Sequence, residues 1–155
     1  MEQITIEKLS LKHHSASQAI IRFKEAIDDL DKIKATIVPN APIDQAITDE
    51  QSRILRTYRN STIKMFELSL DTTWKYIKEF LLAIHGIDRA SPKDVMRSCL
   101  QQQLFSVDEA RNALDMVDDR NRAAHAYKEA FADTICNKMP EYYELMKKLL
   151  DQTKV

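Results

Sequence analysis

Residues 48–86 read TDEQSRILRTYRNSTIKMFELSLDTTWKYIKEFLLAIHG, the longest helical pattern in the chain. Apolar residues recur along it at helical spacing and are predicted to line one side: Tyr58, Met65, Phe66, Leu70, Trp74, Ile77, Leu81 and Ile84. Gly86 follows the last of them and is typical of a helix end. The pattern therefore predicts one long helix from about residue 48 to residue 85.

A second long helix is predicted before it, at residues 4–37. Its apolar residues step by four and three positions and form a single narrow stripe: Ala16, Ile20, Phe23, Ile27 and Leu30. Pro39 and Pro42 end this helix because neither can continue it. A stripe this narrow predicts packing on one partner helix, either of the same chain or of a second copy.

Three shorter helices are predicted in the second half of the chain. Ser91 and Pro92 are residue types favoured just before a helix and at its first position, and this helix is expected to run to about residue 103. Residues 106–109, SVDE, form a capping box that starts the fourth helix, with an apolar stripe of Val107, Ala110, Leu114 and Val117. The last helix is expected to begin near residue 126, to kink or split at Pro140, and to continue its stripe with Tyr142, Met146 and Leu149.

One Gly and four Pro in 155 residues are too few turn-forming residues for many short strands. Together with the helical patterns, this predicts an all-α fold, an antiparallel bundle of about five helices with a core of the four-helix up-and-down type. The length fits a single domain spanning residues 1–155, which can bury a core without disulfides or metal.

Charge and cysteine content narrow the function classes. With a net charge of −1 and a pI near 6.4, the chain lacks the broad basic surface that nonspecific nucleic-acid binding requires, so any RNA contact must be local. Cys99 and Cys136 belong to no CxxC motif, which predicts reduced, buried thiols in a cytoplasmic protein. The first residues lack the apolar run of a signal peptide, and no stretch approaches the roughly 18 apolar residues of a membrane span. No cofactor is predicted, and no metal, since His13 and His14 have no companion ligand at metal-ligand spacing.

The chemically richest stretch is residues 118–127, DDRNRAAHAY, between the fourth and last helices. Arg120 is a permanent cation whose planar fork of donors suits phosphate or carboxylate. His125 can accept or donate a proton near neutral pH, and Asn121 can both donate and accept hydrogen bonds. Tyr127 adds a phenol, while two alanines between the charged residues leave room for close approach. Such a cluster at a helix junction is a candidate functional site.

The residue types alone leave two interpretations of this stretch open. In the structural interpretation, Arg120 is a cation near a helix C-terminus and His125 is a capped residue of the same helix end. Tyr127 then belongs to an apolar stripe with Phe131 and Ile135, which follow at four-residue spacing. In the functional interpretation, the same side chains bind and transform a ligand.

Glu67 lies on or beside the apolar face of the longest helix. Its carboxylate is therefore expected to find a partner there, or to reach solvent at the rim of the face. Arg120 is the candidate partner.

Four cations and no acid occur between residues 53 and 64: Arg53, Arg56, Arg59 and Lys64. They predict either a solvated helix face or a surface for RNA phosphates or an acidic partner. Arg53 and Arg56 are candidate contacts to RNA or a partner, as are Arg122 and Lys128 in and beside the DDRNRAAHAY stretch.

Arg120, Asn121, His125 and Tyr127 fit the pattern R-N-x-x-x-H-x-Y, and through it the chain resembles HEPN domains, an all-helical family. The branch it resembles most is the nucleotidyltransferase substrate-binding proteins, partners of minimal nucleotidyltransferases. The resemblance extends from about residue 58 to residue 150. Three further segments fit that branch in order: Phe66-Glu67-Leu68, Trp74-Lys75 and Ser91-Pro92-Lys93-Asp94-Val95.

The resemblance implies a HEPN-type toxin, a homodimer that cleaves RNA without a metal. Arg120 and His125 would be catalytic, and two copies of each would face one cleft, because one His cannot easily act as base and acid at once. Asn121 would orient the phosphate or His125, and Glu67 would hold Arg120 in place.

The resemblance also implies a separately encoded nucleotidyltransferase as partner in a toxin–antitoxin pair. The transferase would neutralise the toxin by nucleotidylating Tyr127, which places phosphate charge beside Arg120 and His125. Two alternatives stay open: a noncatalytic subunit that presents a substrate to the transferase, and a polar dimer seam without chemistry. A pure adaptor needs neither Arg120 nor His125, so the presence of both favours the nuclease.

Overall fold

The structure is a computed structural model that describes residues 5–37, 48–124 and 129–155. Within these ranges the chain forms five helices and no strand. They are α1 (Ile6–Ile37), α2 (Asp49–His85), α3 (Pro92–Gln101), α4 (Val107–Ala123) and α5 (Glu129–Gln152). The predicted all-α fold with two long helices is confirmed.

The two long helices, α1 and α2, pack against each other in opposite directions. The hydroxyl of Thr62 donates to the Ala26 carbonyl oxygen at 3.2 Å, and that of Ser69 donates to the Ala19 carbonyl oxygen at 3.0 Å. Every residue of the predicted α1 stripe is buried: Ala16, Ile20, Phe23, Ile27 and Leu30. The packing partner of this stripe therefore lies within the same chain.

Both ends of α2 are fixed by the residues that the sequence indicates. Thr48 caps the N-terminus: its hydroxyl accepts a hydrogen bond from the backbone amide of Gln51. The side-chain oxygen of Gln51 in turn accepts from the backbone amide of Thr48. Gly86 ends the helix with φ +66°, a left-handed conformation that glycine adopts without strain. The prediction that Ile84 faces the core is wrong. Ile84 is 46% exposed, because the last turn of α2, residues 82–86, extends beyond its packing partners.

The remaining helices complete a bundle in which α1, α2, α4 and α5 alternate in direction. On α5, Tyr142 stacks on Phe66 of α2 with ring centroids 5.5 Å apart, and Asp133 pairs with Arg59 at 2.6 Å. These contacts make α5 parallel to α2. The salt bridge between Glu109 of α4 and Lys148 of α5, together with the contacts of Asp119 described below, makes α4 antiparallel to α5.

Two predictions about the shorter helices need correction. Val107 is 62% exposed, because it is the first residue of α4 and precedes the turn that packs on the core. Of the two outcomes predicted at Pro140, a kink or a split, the split is wrong, because Pro140 lies inside a continuous helix α5. The stripe of Tyr142, Met146 and Leu149 is buried, as predicted. The predicted start of this helix near residue 126 lies outside the described residues.

The two cysteines behave as the sequence predicts. Cys99 and Cys136 are free and buried. Burial raises the pKa of the Cys99 thiol to about 12 and that of Cys136 to about 11, so both remain protonated and unreactive near neutral pH. None of the described helices is both long and apolar enough to cross a membrane.

Candidate functional site

Helix α4 presents the described part of the R-N-x-x-x-H-x-Y pattern. The capping box of Ser106 and Glu109 fixes the start of the helix, and Val117 is buried three residues before Arg120. This register places Arg120 at the edge of the packed face, partly buried, while Asn121 points toward solvent and is exposed.

The central contact of the site is a two-point salt bridge between Arg120 and Asp71 of α2. Nε of Arg120 donates to Oδ1 of Asp71 at 3.0 Å, and Nη2 donates to Oδ2 at 2.9 Å. The hydrogen-bonded carboxylate raises the pKa of Arg120 above its ordinary value, and the charge of Glu67 adds a smaller effect in the same direction. Because a guanidinium carries five N–H donors, this bidentate pair fixes the plane of Arg120 and leaves donors on its other edge for a ligand.

Asp71 is a site residue that the sequence pattern did not single out. Glu67 was the expected partner of Arg120, but both hydrogen bonds go to Asp71, one helical turn further along α2. Glu67 is half-buried and acts on Arg120 through its charge. Glu67 and Asp71 are four residues apart and so lie on the same side of α2. This spacing was the signal that could have identified Asp71 as a second candidate partner.

An open cleft of about 370 Å³ lies beside this salt bridge, between α2, α3 and α4. We call it the Arg120 cleft. Its floor is apolar and its rim is polar, and its lining residues are Leu70, Asp71, Trp74, Lys75, Pro92, Val117, Arg120 and Asn121. The salt bridge of Lys93 with Asp118, at 2.6 Å, joins the start of α3 to α4 and so brings Pro92 to the cleft.

A buried carboxylate anchors α4 immediately before Arg120. Asp119 is 3% exposed and accepts hydrogen bonds from Tyr142 at 2.5 Å and from Lys138 at 3.3 Å, both on α5, and from Arg122 at 3.3 Å. Burial, with the adjacent Asp119 carboxylate, raises the pKa of Tyr142, so its hydroxyl stays a donor. No local pattern indicated this role, because an Asp in a charged stretch at a helix end is usually solvated.

Three of the candidate site residues lie outside the described part of the chain. His125, Tyr127 and Lys128 fall in residues 125–128, between Ala124 after α4 and Glu129 at the start of α5. Their roles remain predictions.

The basic residues of α2 are separate from the Arg120 cleft within one chain. Asp71 is 15 residues beyond Arg56 on the same helix, which corresponds to roughly 22 Å at the helical rise. Arg53 and Arg56 are exposed, as a contact surface requires. Arg59 does not belong to a solvated face, since its side chain is 11% exposed and pairs with Asp133.

Among residues 5–37, 48–124 and 129–155, no group of three or more His, Cys, Asp or Glu side chains lies close enough to hold a metal ion. What the described site offers is a fixed guanidinium, an amide and a lysine around an apolar floor. This arrangement can bind an anionic group and hold it next to an apolar or aromatic one.

The fold and the site together define an all-α bundle with a carboxylate-fixed arginine at the rim of an open cleft. The family described as nucleotidyltransferase substrate binding protein like matches residues 11–155, and the chain belongs to this family. Comparison with curated proteins gives no match.

The chain is also similar to a solved crystal structure of a protein from Thermus thermophilus. The two share 28% sequence identity with a TM-score of 0.70, and the similarity covers 90% of this chain and 99% of that chain. The bundle described above is therefore shared along nearly the whole of that protein.

Proposed function

We propose that this protein is the helical partner of a separately encoded nucleotidyltransferase, and that it is a HEPN-type toxin with metal-independent endoribonuclease activity. Family membership supports the association with a transferase. The observation that carries the ribonuclease proposal is the Arg120–Asp71 salt bridge, because it holds a permanent cation in one orientation at the rim of a cleft.

The chemistry follows from RNA itself, which carries a nucleophile next to each phosphate. A base takes the proton of the 2′-hydroxyl, the 2′-oxygen forms a bond to phosphorus, and the bond from phosphorus to the 5′-oxygen breaks. An acid donates a proton to that leaving oxygen. Arg120 would stabilise the charge that builds on the phosphate oxygens, and His125 would transfer the protons. Asn121 would orient the phosphate or His125.

A homodimer is expected, because one His cannot readily act as base and acid in the same step. A two-fold dimer with both Arg120 clefts facing each other would supply a second His125. Sedimentation at micromolar concentration is expected to show twice the 18.0 kDa mass of the chain. If only the 18.0 kDa species sediments under these conditions, the two-histidine mechanism loses its basis.

The second candidate function is a noncatalytic substrate-binding subunit of a two-component nucleotidyltransferase. The family description favours it, since it names substrate binding and no cleavage. In this case Arg120 and Asn121 would hold an anionic substrate for the transferase. The two functions share a partner and differ in whether RNA is cut.

Tyr127 is expected to accept a nucleotide from the partner transferase. Incubation with this transferase and ATP should add the mass of AMP to the intact chain, and Tyr127→Phe should abolish the gain. Tyr58→Phe is the control, because Tyr58 is half-buried on α2 and lies outside the motif. A wild-type chain that gains no mass contradicts the modification, and a gain that persists in Tyr127→Phe places it on another residue.

A further inference from the structure

The Arg120 cleft has an aromatic wall that the proposed cleavage chemistry does not use. Trp74, the single tryptophan of the chain, is partly buried against the core and lines this cleft. It also lines a second cleft, of about 640 Å³, between α1 and α2. Asp71 and Lys75 line both clefts as well, so the two clefts lie on either side of these residues, and together they are called the groove below.

Two polar side chains at the rim have no partner among the described residues. Lys75 and Asn121 are exposed, and neither side chain has a hydrogen bond or salt bridge with any residue that the structure describes. Lys12 and Glu79, in the second cleft, instead pair with each other. Lys75 lines both clefts and Lys78 only the second, but the open edge of Arg120 and the amide of Asn121 belong to the Arg120 cleft alone.

Apolar residues make up the other half of the cleft lining. Val117 is buried, and Pro92 is the first residue of α3, so the positive end of that helix dipole lies at the rim. A flat ring can lie against an indole and an apolar floor, while an anion is held by Arg, Lys and a helix N-terminus. A cleft of this size is within the range of about 300–1,000 Å³ that small-molecule sites occupy.

We propose that the Arg120 cleft binds a single unpaired ribonucleotide, with its base against Trp74 and its 5′-phosphate held by Lys75 and the open edge of Arg120. The proposal deepens the proposed function and rests on it for the choice of ligand. The nucleotide is either free or part of an RNA strand, and in the strand it would be the residue next to the scissile phosphate. Base stacking is sequence-tolerant, so the site would accept more than one base.

Trp74 makes the proposal directly measurable, because the intrinsic tryptophan fluorescence of the protein comes from this residue alone. AMP is titrated into the purified chain, with excitation at the red edge of tryptophan absorption, where the nucleotide does not absorb. Saturable quenching is expected with AMP, and much weaker effects are expected with adenosine or inorganic phosphate alone. A short unstructured oligoribonucleotide is titrated in parallel.

Two variants locate the binding site. Lys75→Gln is expected to weaken AMP binding roughly 10-fold, because it removes one charged contact to phosphate. Lys147→Gln is the matched control, since Lys147 is an exposed lysine of α5 away from the groove, and it should bind as wild type. Trp74→Leu is expected to bind AMP more weakly, because the stacking contact with the base is lost. Its binding is measured by calorimetry, and its folding is checked by circular dichroism.

Quenching by AMP that depends on Lys75 supports a free nucleotide as ligand, and quenching by the oligoribonucleotide alone supports a nucleotide within RNA. The proposal is overturned if neither ligand changes the fluorescence, if phosphate alone produces the full change, or if Lys75→Gln binds with the affinity of the wild type. Binding is measured on the isolated chain, without cleavage or a transferase. If the protein proves not to cleave RNA, the binding result is therefore unaffected. If it proves not to bind a nucleotide here, the tests of cleavage and modification are likewise unaffected.

Discussion

His125→Ala is expected to lose RNA cleavage by roughly 10²-fold or more, the usual contribution of a general acid–base group. Arg120→Lys should also lose activity, because a point ammonium cannot make the two-point contact with Asp71 and keep donors free for phosphate. Both variants should remain folded dimers, since the sequence pattern places the motif at a helix junction and outside the predicted apolar stripes. The measurement is the rate of cleavage of a single-stranded RNA under single-turnover conditions.

The products and the control identify the mechanism. Arg111→Lys is the matched control, because Arg111 is 72% exposed on α4 and pairs with Asp108 outside the cleft, and it should retain activity. Attack by the 2′-hydroxyl should leave a 2′,3′-cyclic phosphate, survive EDTA, and fail on RNA with 2′-O-methyl groups. If wild-type protein, shown by mass to be unmodified at Tyr127, cuts no RNA under any condition, the nuclease proposal is wrong and the binding function takes its place.

Asp71→Asn is expected to reduce cleavage roughly 10- to 100-fold, the rate equivalent of one hydrogen-bonded charged contact. Asn keeps the shape of Asp71 but has one acceptor oxygen, so Arg120 keeps at most one of its two bonds and its plane is no longer fixed. Asp71 would act on the reaction only through Arg120. The loss should therefore appear mainly in the rate of the chemical step.

Two comparisons separate this positioning role from a general loss of stability. Asp28→Asn removes a half-exposed salt bridge of α1, that with Lys24, away from the cleft, and should leave cleavage near the wild-type rate. In an Arg120→Ala background, Asp71→Asn should have no further effect on the residual rate. If the effects of the two substitutions on the cleavage rate instead multiply, Asp71 acts independently of Arg120 and its assigned role is wrong.

The sequence predicted the helices well because their ends are locally encoded. Thr48 with Gln51 and Ser106 with Glu109 are capping pairs within four residues, and Gly86 is the single glycine of the chain. The residues that were wrongly predicted to be buried lie at the ends of helices, beyond the packed part of the bundle. Ile84 and Val107 follow the apolar pattern of their helices but belong to terminal turns that no described neighbour covers.

The site was predicted less completely, because its contacts depend on how helices are aligned with each other. Glu67 and Asp71 lie on one side of α2, and which of them meets Arg120 depends on the position of α4 along α2. Asp119 could not be distinguished from its neighbour Asp118 in the sequence. Only the packing of α5 places Tyr142 and Lys138 around the carboxylate of Asp119 and leaves that of Asp118 at the surface.

The hydroxyl contacts between α1 and α2 limit how these helices can change in length during evolution. Thr62 and Ser69 are seven residues apart, and so are their acceptors Ala26 and Ala19. One or two residues inserted between the contacts in a single helix would rotate one donor away from the facing backbone and break the alignment of the apolar stripes. Tolerated insertions and deletions in this hairpin should come as whole heptads, matched in both helices, as in an antiparallel coiled coil.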